Sequence, residues 1–141
     1  MTIPTQPAIE LVKHVSAPRL TRSRIQHIWQ VVKQRVSLPS RWRQVSVVVV
    51  GAAEMKQLNQ RYRHDPTVTD VLSFPYGTDG GEIVLCYPQA KRQSAAKQVS
   101  LTSELDWLLV HGFLHVLGYD HEQAKDAQVM RPLEQAILAY V

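Results

Sequence analysis

The chain is poor in cysteine, with Cys86 the single residue of this type among 141. One cysteine cannot form an internal disulfide, which excludes the small secreted folds that disulfides hold together. Long apolar runs are also missing, since stretches such as residues 45–53 are too short to cross a bilayer. The chain does not open on a charged leader with an apolar centre and a cleavage site. We therefore expect a protein of the reducing cytoplasm with no membrane-spanning segment.

Acidic residues are scarce in the first half of the chain. Residues 1–63 hold eleven Lys and Arg against two acidic residues, whereas residues 64–141 hold five against ten. Clustered cations neutralise phosphates and release counterions, so the basic half favours an anionic partner such as nucleic acid. A charged face that only keeps the protein solvated has the same composition. Charge alone leaves both interpretations open.

Length and apolar content predict one domain spanning residues 1–141, because 45% apolar residues are enough to build a core at this size. About four strands are indicated by the residue pattern, and the run 45–50 is expected to be buried on both faces of the sheet. The predicted strands are 9–15, 45–50, 71–74 and 82–86, with a glycine-containing loop at 75–81. One predicted helix starts after an N-cap at Thr21. Three further helices are predicted at 54–63, 101–117 and 123–140, the last with a kink or break at Pro132.

Three histidines form the most informative motif. His111 and His115 lie on a predicted helix that is apolar on nearly every side. Because they are four residues apart, both rings lie on the same face of that helix. Gly118 tolerates the left-handed conformation that ends a helix, which would return His121 towards the same point. Three imidazoles at this spacing predict one metal ion with a fourth position left open, as in catalytic zinc sites.

The spacing matches the zinc-protease signature H-E-x-x-H-x-x-G-x-x-H except at Gly112, where those proteases have the glutamate that accepts a proton from the bound water. A peptidase is therefore disfavoured. Zinc, one ion per chain, is the expected metal, although imidazoles also suit nickel, copper and iron. Zinc lowers the pKa of a bound water to about 7, so a metal-bound hydroxide can form at neutral pH without a dedicated base.

Several motifs together resemble the YbeY family of bacterial endoribonucleases. They follow the same order along most of the chain: Asn59-x-x-Tyr62-Arg63, Thr69-Asp70-Val71-Leu72-Ser73-Phe74-Pro75, Gly81-Glu82-Ile83, the histidine segment 111–121, and Met130 with Glu134. One departure lies directly before Thr69, where Val68 replaces the proline usual in the family. The pattern of about the first 18 residues is too variable to align with the family, so no role is carried over to them.

The resemblance implies an α+β fold with a mixed sheet and a metal held by His111, His115 and His121. It also implies a metal-dependent, single-strand-specific endoribonuclease in ribosomal RNA maturation, including 3′ end processing of the small-subunit RNA, and in ribosome quality control. The implied partners are precursor ribosomal RNA and the small ribosomal subunit or its assembly factors, with no DNA expected.

Arg63, His111 and His115 are the predicted catalytic residues. A guanidinium suits the negative charge that builds on phosphorus oxygens during attack, and the family has a functionally important arginine at this point of its motif. A surface salt bridge or a helix-end cation is the structural alternative for Arg63.

Four further polar residues lie near these motifs. Asp70 is expected to cap its loop, with proton transfer or histidine orientation as alternatives. Ser73 can bond a phosphate or the backbone. Asp120 is either a residue that orients His121 or a turn residue, and Glu104, two turns before His111, is a further candidate for contact with the histidines. The sequence indicates no partner for His14 or His64.

Three classes of function follow. A metal-dependent endoribonuclease leads. The alternatives are another zinc metallohydrolase, such as a peptidase using the same histidines, and a non-catalytic RNA-binding assembly factor in which the metal is structural.

Overall fold

A computed structural model describes residues 8–37, 44–76, 79–119 and 124–141. The elements, in chain order, are β1 (Ala8–Lys13), α1 (Arg22–Arg35), β2 (Gln44–Val50), α2 (Ala52–Arg63), β3 (Val71–Pro75), β4 (Gly80–Cys86), α3 (Tyr87–Lys97), α4 (Leu101–Val116) and α5 (Ala124–Leu138). Thr21 is the N-cap of α1, since its side-chain oxygen accepts a hydrogen bond from the backbone N–H of Arg24 at 3.2 Å. The predicted cap is confirmed.

The four strands form one mixed sheet with the order β1-β2-β4-β3. β1, β2 and β4 are parallel, and β3 pairs with β4 in the antiparallel direction. β3 and β4 form a hairpin in which Pro75 lies opposite Gly81, so the predicted loop at 75–81 is longer than the observed connection. The prediction of an α+β fold with about four strands in a mixed sheet is confirmed.

The two faces of the sheet are buried to different extents. α1, α4 and α5 contribute to the larger core on one face, where Trp29 packs against Phe113 with ring centroids 5.0 Å apart. α2 covers the other face with a small cluster around Met55. Ser46 and Val48 of β2 point to that side and are half-buried. Val50, on the same side, is fully buried in that cluster, so the expectation that residues 45–50 are buried on both faces holds for Val50 and is wrong for Ser46 and Val48.

α3 is a helix that the sequence pattern did not predict. Only Tyr87, Ala90 and Ser94 of this helix are buried, and two of these are small, so its apolar stripe is weak. Pro88 lies in the first turn, where proline is compatible with a helix because the first N–H groups have no partner within it. Pro88 was therefore the feature of the sequence that could have indicated the start of a helix here.

Pro132 lies inside α5, and the helix continues to Leu138. Of the two alternatives at Pro132, the break is wrong, and the kink stays a prediction. No helix in the described ranges is long and apolar enough to span a membrane.

Three cations of the basic half make contacts that hold the fold together. Arg22 donates to the Ile9 carbonyl at 2.8 Å, and Arg35 lies 4.3 Å from the Tyr140 ring centroid. Arg24 forms an ion pair with Asp106 on α4, a contact that raises the pKa of the guanidinium. The positive charge of residues 1–63 is thus partly structural, and it gives only limited support to the nucleic-acid interpretation.

Candidate metal centre and RNA-binding cavity

The end of α4 positions the histidines. Gly118 has φ +98°, its N–H donates to the His115 carbonyl, and the Tyr119 N–H donates to the Leu114 carbonyl, each at 3.0 Å. This pair of bonds is the Schellman motif, which reverses the chain after a helix. The predicted glycine stop is confirmed, and it directs the chain away from α4 one turn after His115.

The His111 and His115 rings converge on one another. Their Nε2 atoms are 3.0 Å apart, and both side chains are partly buried. Two nitrogens bound at about 2.1 Å to one tetrahedral zinc ion lie roughly 3.4 Å apart, close to this separation. The distance also suits one N–H···N hydrogen bond between the rings. The two imidazoles therefore fit a shared transition metal ion.

Two neighbours fix the His111 ring. Glu134 of α5 places Oε1 2.6 Å from His111 Nδ1, and Trp107, one turn earlier on α4, stacks on the ring with centroids 5.0 Å apart. Glu134 is 6% exposed. Glu134 is a position of the family motif, but the sequence indicates no role for it, because a contact between α5 and α4 is not visible in local spacing.

His121 and Asp120 lie outside the described residues. Among the described residues, no group of three or more His, Cys, Asp or Glu side chains is arranged to hold a metal ion. His111 and His115 thus form the described part of the candidate metal centre.

A cavity of about 640 Å³ opens beside the histidines. Arg63, at the last residue of α2, lines this cavity together with His111 and His115, although it is far from them in sequence. Within the described ranges, Arg63 makes no ion pair, so the salt-bridge alternative has no support there. Its place in the last turn of α2 is compatible with the other alternative, a helix-end cation. Arg131 of α5 lines the same cavity and was missed, because the sequence places it in the otherwise acidic half.

The segment between α2 and β3 forms another wall of the cavity. Buried Asn59 donates to the Thr67 carbonyl at 3.0 Å, which fixes this segment to α2. Asp70 accepts hydrogen bonds from the Val71 N–H at 2.7 Å and from the Gln93 side chain at 3.0 Å. These contacts agree with the predicted structural role of Asp70.

Ser73 and Gly112 show how closely α4 approaches the sheet. The Ser73 hydroxyl donates to the Gly112 carbonyl at 3.4 Å, the backbone bond that was one of its two predicted roles. A Cβ added at residue 112 would lie 2.9 Å from Ile83 Cγ2 of β4. Position 112 therefore faces the sheet at a point with no room for the glutamate side chain of the protease signature.

Other polar residues considered from the sequence have partners away from the histidines. Glu104 is buried and accepts a hydrogen bond from Lys97 Nζ at 2.7 Å, so it contributes to the fold. His14 places Nδ1 2.9 Å from Glu54, a partner that the sequence did not reveal. His64 follows α2 in the left-handed conformation with φ 56° and caps that helix.

The fold and cavity define a small α+β protein with a candidate metal centre. Residues 10–141 match the family model described as Endoribonuclease YbeY. The chain belongs to this family, as its motifs predicted.

Individual relatives agree with this assignment. The chain is 44% identical over 100 residues to the endoribonuclease YbeY of Bordetella petrii, covering 67% of this chain and 64% of the relative. It is 47% identical over 105 residues to that of Thermodesulfovibrio yellowstonii, covering 67% and 65%. The matched segment thus spans slightly less than two thirds of the length of either relative. The solution structure of TM1509 from Thermotoga maritima superimposes with a TM-score of 0.69 and 26% identity, covering 94% of this chain and 88% of that one.

Proposed function

We propose that the chain is a metal-dependent endoribonuclease that cuts single-stranded RNA. The observation that carries the proposal is a single cavity lined by two converging imidazoles and an exposed arginine, His111, His115 and Arg63. Membership of a family named for endoribonuclease activity supports it. The substrate is precursor ribosomal RNA, and the roles are maturation of the small-subunit RNA, including its 3′ end, and ribosome quality control. Residues 1–141 act as one domain, in the cytoplasm, with the small ribosomal subunit or its assembly factors as partner.

His111, His115 and His121 would hold one zinc ion, with nickel or another transition metal as the substitute that an imidazole donor set allows. When bound, such an ion supplies Lewis acidity and activates water at neutral pH. Trp107 and Glu134 keep the His111 ring in one orientation for this role. Gly112 leaves the protein without the protease glutamate, so peptide hydrolysis is not proposed.

Arg63 contacts the substrate phosphate. Its planar guanidinium can donate two parallel hydrogen bonds to phosphate oxygens and stabilise the negative charge that develops there. Arg131 adds a second positive charge at the cavity wall and suits a neighbouring phosphate of the same strand. Exposure of both side chains keeps them available to a long polymer.

A cleavage assay tests the proposal. The zinc-loaded protein is incubated with a labelled single-stranded RNA, the duplex form of that RNA, a DNA of the same sequence and casein. We expect internal cuts in the single-stranded RNA alone. Cleavage of casein without RNA cleavage would favour the peptidase, and tight RNA binding without any cleavage would favour the assembly factor.

A further inference from the structure

Three buried carboxylates in the described part of the chain differ in what neutralises them. Burying a carboxylate is costly unless it is paired. Lys97 donates to Glu104 at 2.7 Å, and Arg24 Nε donates to Asp106 at 3.1 Å. Lysine and arginine carry a permanent positive charge at neutral pH, so these two pairs have no net charge.

Glu134, the third, has an imidazole as its partner. Within the described residues its hydrogen bond goes to His111 alone, at 2.6 Å, and the two side chains are 7% and 13% exposed. The partner of Glu134 is thus a ring whose second nitrogen can bind a cation, which is the carboxylate–histidine–metal arrangement common in metal sites.

The same contact selects the form of the His111 ring. A hydrogen bond that Glu134 accepts from this ring places the hydrogen on Nδ1 of His111. In that tautomer of an imidazole, Nε2 presents its lone pair. Nε2 is the atom that lies 3.0 Å from Nε2 of His115, and a nitrogen lone pair is what a metal ion requires.

We propose that Glu134 is a positioning residue for metal binding, which holds Nδ1–H of His111 so that Nε2 faces a divalent transition metal ion shared with His115. This inference rests on the metal centre of the proposed function and adds a residue from α5 to it. Glu134 touches neither the metal nor the RNA and acts through His111.

Zinc affinity tests the role of Glu134. The wild type, Glu134→Gln and Glu134→Ala are titrated with Zn²⁺ in competition with a chromophoric chelator. Glu134→Ala is expected to weaken zinc binding about 10- to 100-fold, the usual effect of losing a carboxylate behind a ligand histidine. Glu134→Gln keeps an acceptor oxygen but loses the charge, so its affinity is expected to fall between the two.

Glu104→Gln is the matched control, because it removes the charge of another equally buried carboxylate. This variant is expected to bind zinc like the wild type. Thermal unfolding of every variant identifies losses that come from misfolding, and Glu134→Gln decides the question if Glu134→Ala does not fold.

The tautomer of His111 gives a readout that does not depend on metal or RNA. In the metal-free wild type, ¹⁵N chemical shifts are expected to show hydrogen on Nδ1, and Glu134→Ala is expected to shift the ring towards the Nε2–H form. Wild-type zinc affinity in Glu134→Ala, an equal loss in Glu104→Gln, or no zinc binding by the wild type would overturn the inference. Glu134-dependent zinc binding without RNA cleavage would contradict the proposed nuclease and leave the inference standing.

Discussion

The two halves of α4 bury polar side chains in opposite ways. In the N-terminal half, Glu104 and Asp106 are each paired with a basic residue from another helix, Lys97 and Arg24. In the C-terminal half, His111 and His115 face one another at the edge of a cavity of about 640 Å³. One helix therefore carries ion-paired carboxylates inside the core at its start and two imidazoles at the edge of a cavity at its end.

Polar residues inside the core of α4 hold the fold, whereas the two histidines lie where a ligand in the cavity can reach them. A buried carboxylate that is ion-paired with a lysine or arginine already has its partner, so we do not expect it to bind a ligand. Converging imidazole nitrogens beside a cavity are arranged around a point that a ligand can occupy. Variants in the C-terminal half should therefore change metal binding and catalysis, whereas variants in the N-terminal half should change stability.

His111→Ala should have the largest effect. Removing this ring takes away one nitrogen donor and the partner of Glu134, so zinc binding and RNA cleavage should be lost together. Both are measured on the same preparation, by chelator competition and by cleavage of a labelled RNA. RNA cleavage that persists without bound metal would contradict the assignment.

Arg63→Glu should keep zinc binding and lose at least about 100-fold in cleavage rate, the usual scale for removing a donor that stabilises transition-state charge. Arg61→Glu is the matched control: it makes the same charge change on α2, and Arg61 does not line the cavity. Single-turnover rates for both variants are compared at saturating zinc. Equal losses would mean that the charge of α2, and not a contact by Arg63, supports cleavage.

Gly112→Glu tests whether a protease-like glutamate could be accommodated. Since a Cβ at residue 112 would lie 2.9 Å from Ile83 Cγ2, the variant should lose at least about 1–3 kcal/mol of unfolding free energy. Denaturant unfolding measures the loss, and a casein assay should detect no peptidase activity. A stable variant that cleaves casein would restore the peptidase interpretation.

Lys97→Ala tests the N-terminal half of α4 and should have the smallest effect. It leaves buried Glu104 without its cation, which should cost about 1–3 kcal/mol of unfolding free energy. Zinc affinity and cleavage rate should match the wild type below the unfolding temperature. A weakened zinc affinity would show that the two halves are coupled.

Local patterns predicted most of the fold. Alternating and β-branched runs found the four strands, and the apolar character of residues 101–117 found the central helix, because these signals repeat within a few residues. α3 was missed because it buries only one large side chain, Tyr87. The alternative of a break at Pro132 was wrong, since neighbouring packing can hold a helix together past a proline.

The candidate site was predictable where its residues are close in sequence. The spacing of His111 and His115 and the stop at Gly118 follow from helix geometry. Glu134 and Arg131 reach the site because α5 packs on α4. No short sequence pattern describes such a contact between two helices. The net charge of residues 1–63 was a poor guide to the site, because it counts cations that hold the fold, such as Arg24, together with Arg63.

The metal-dependent nuclease is tested by cleavage of a precursor small-subunit ribosomal RNA by the wild type and by His115→Ala, purified identically to control for contaminating nuclease. We expect the wild type to cut the RNA and the folded variant to leave it intact. Equal cleavage by both proteins, or by neither with zinc, nickel or manganese added, would contradict it.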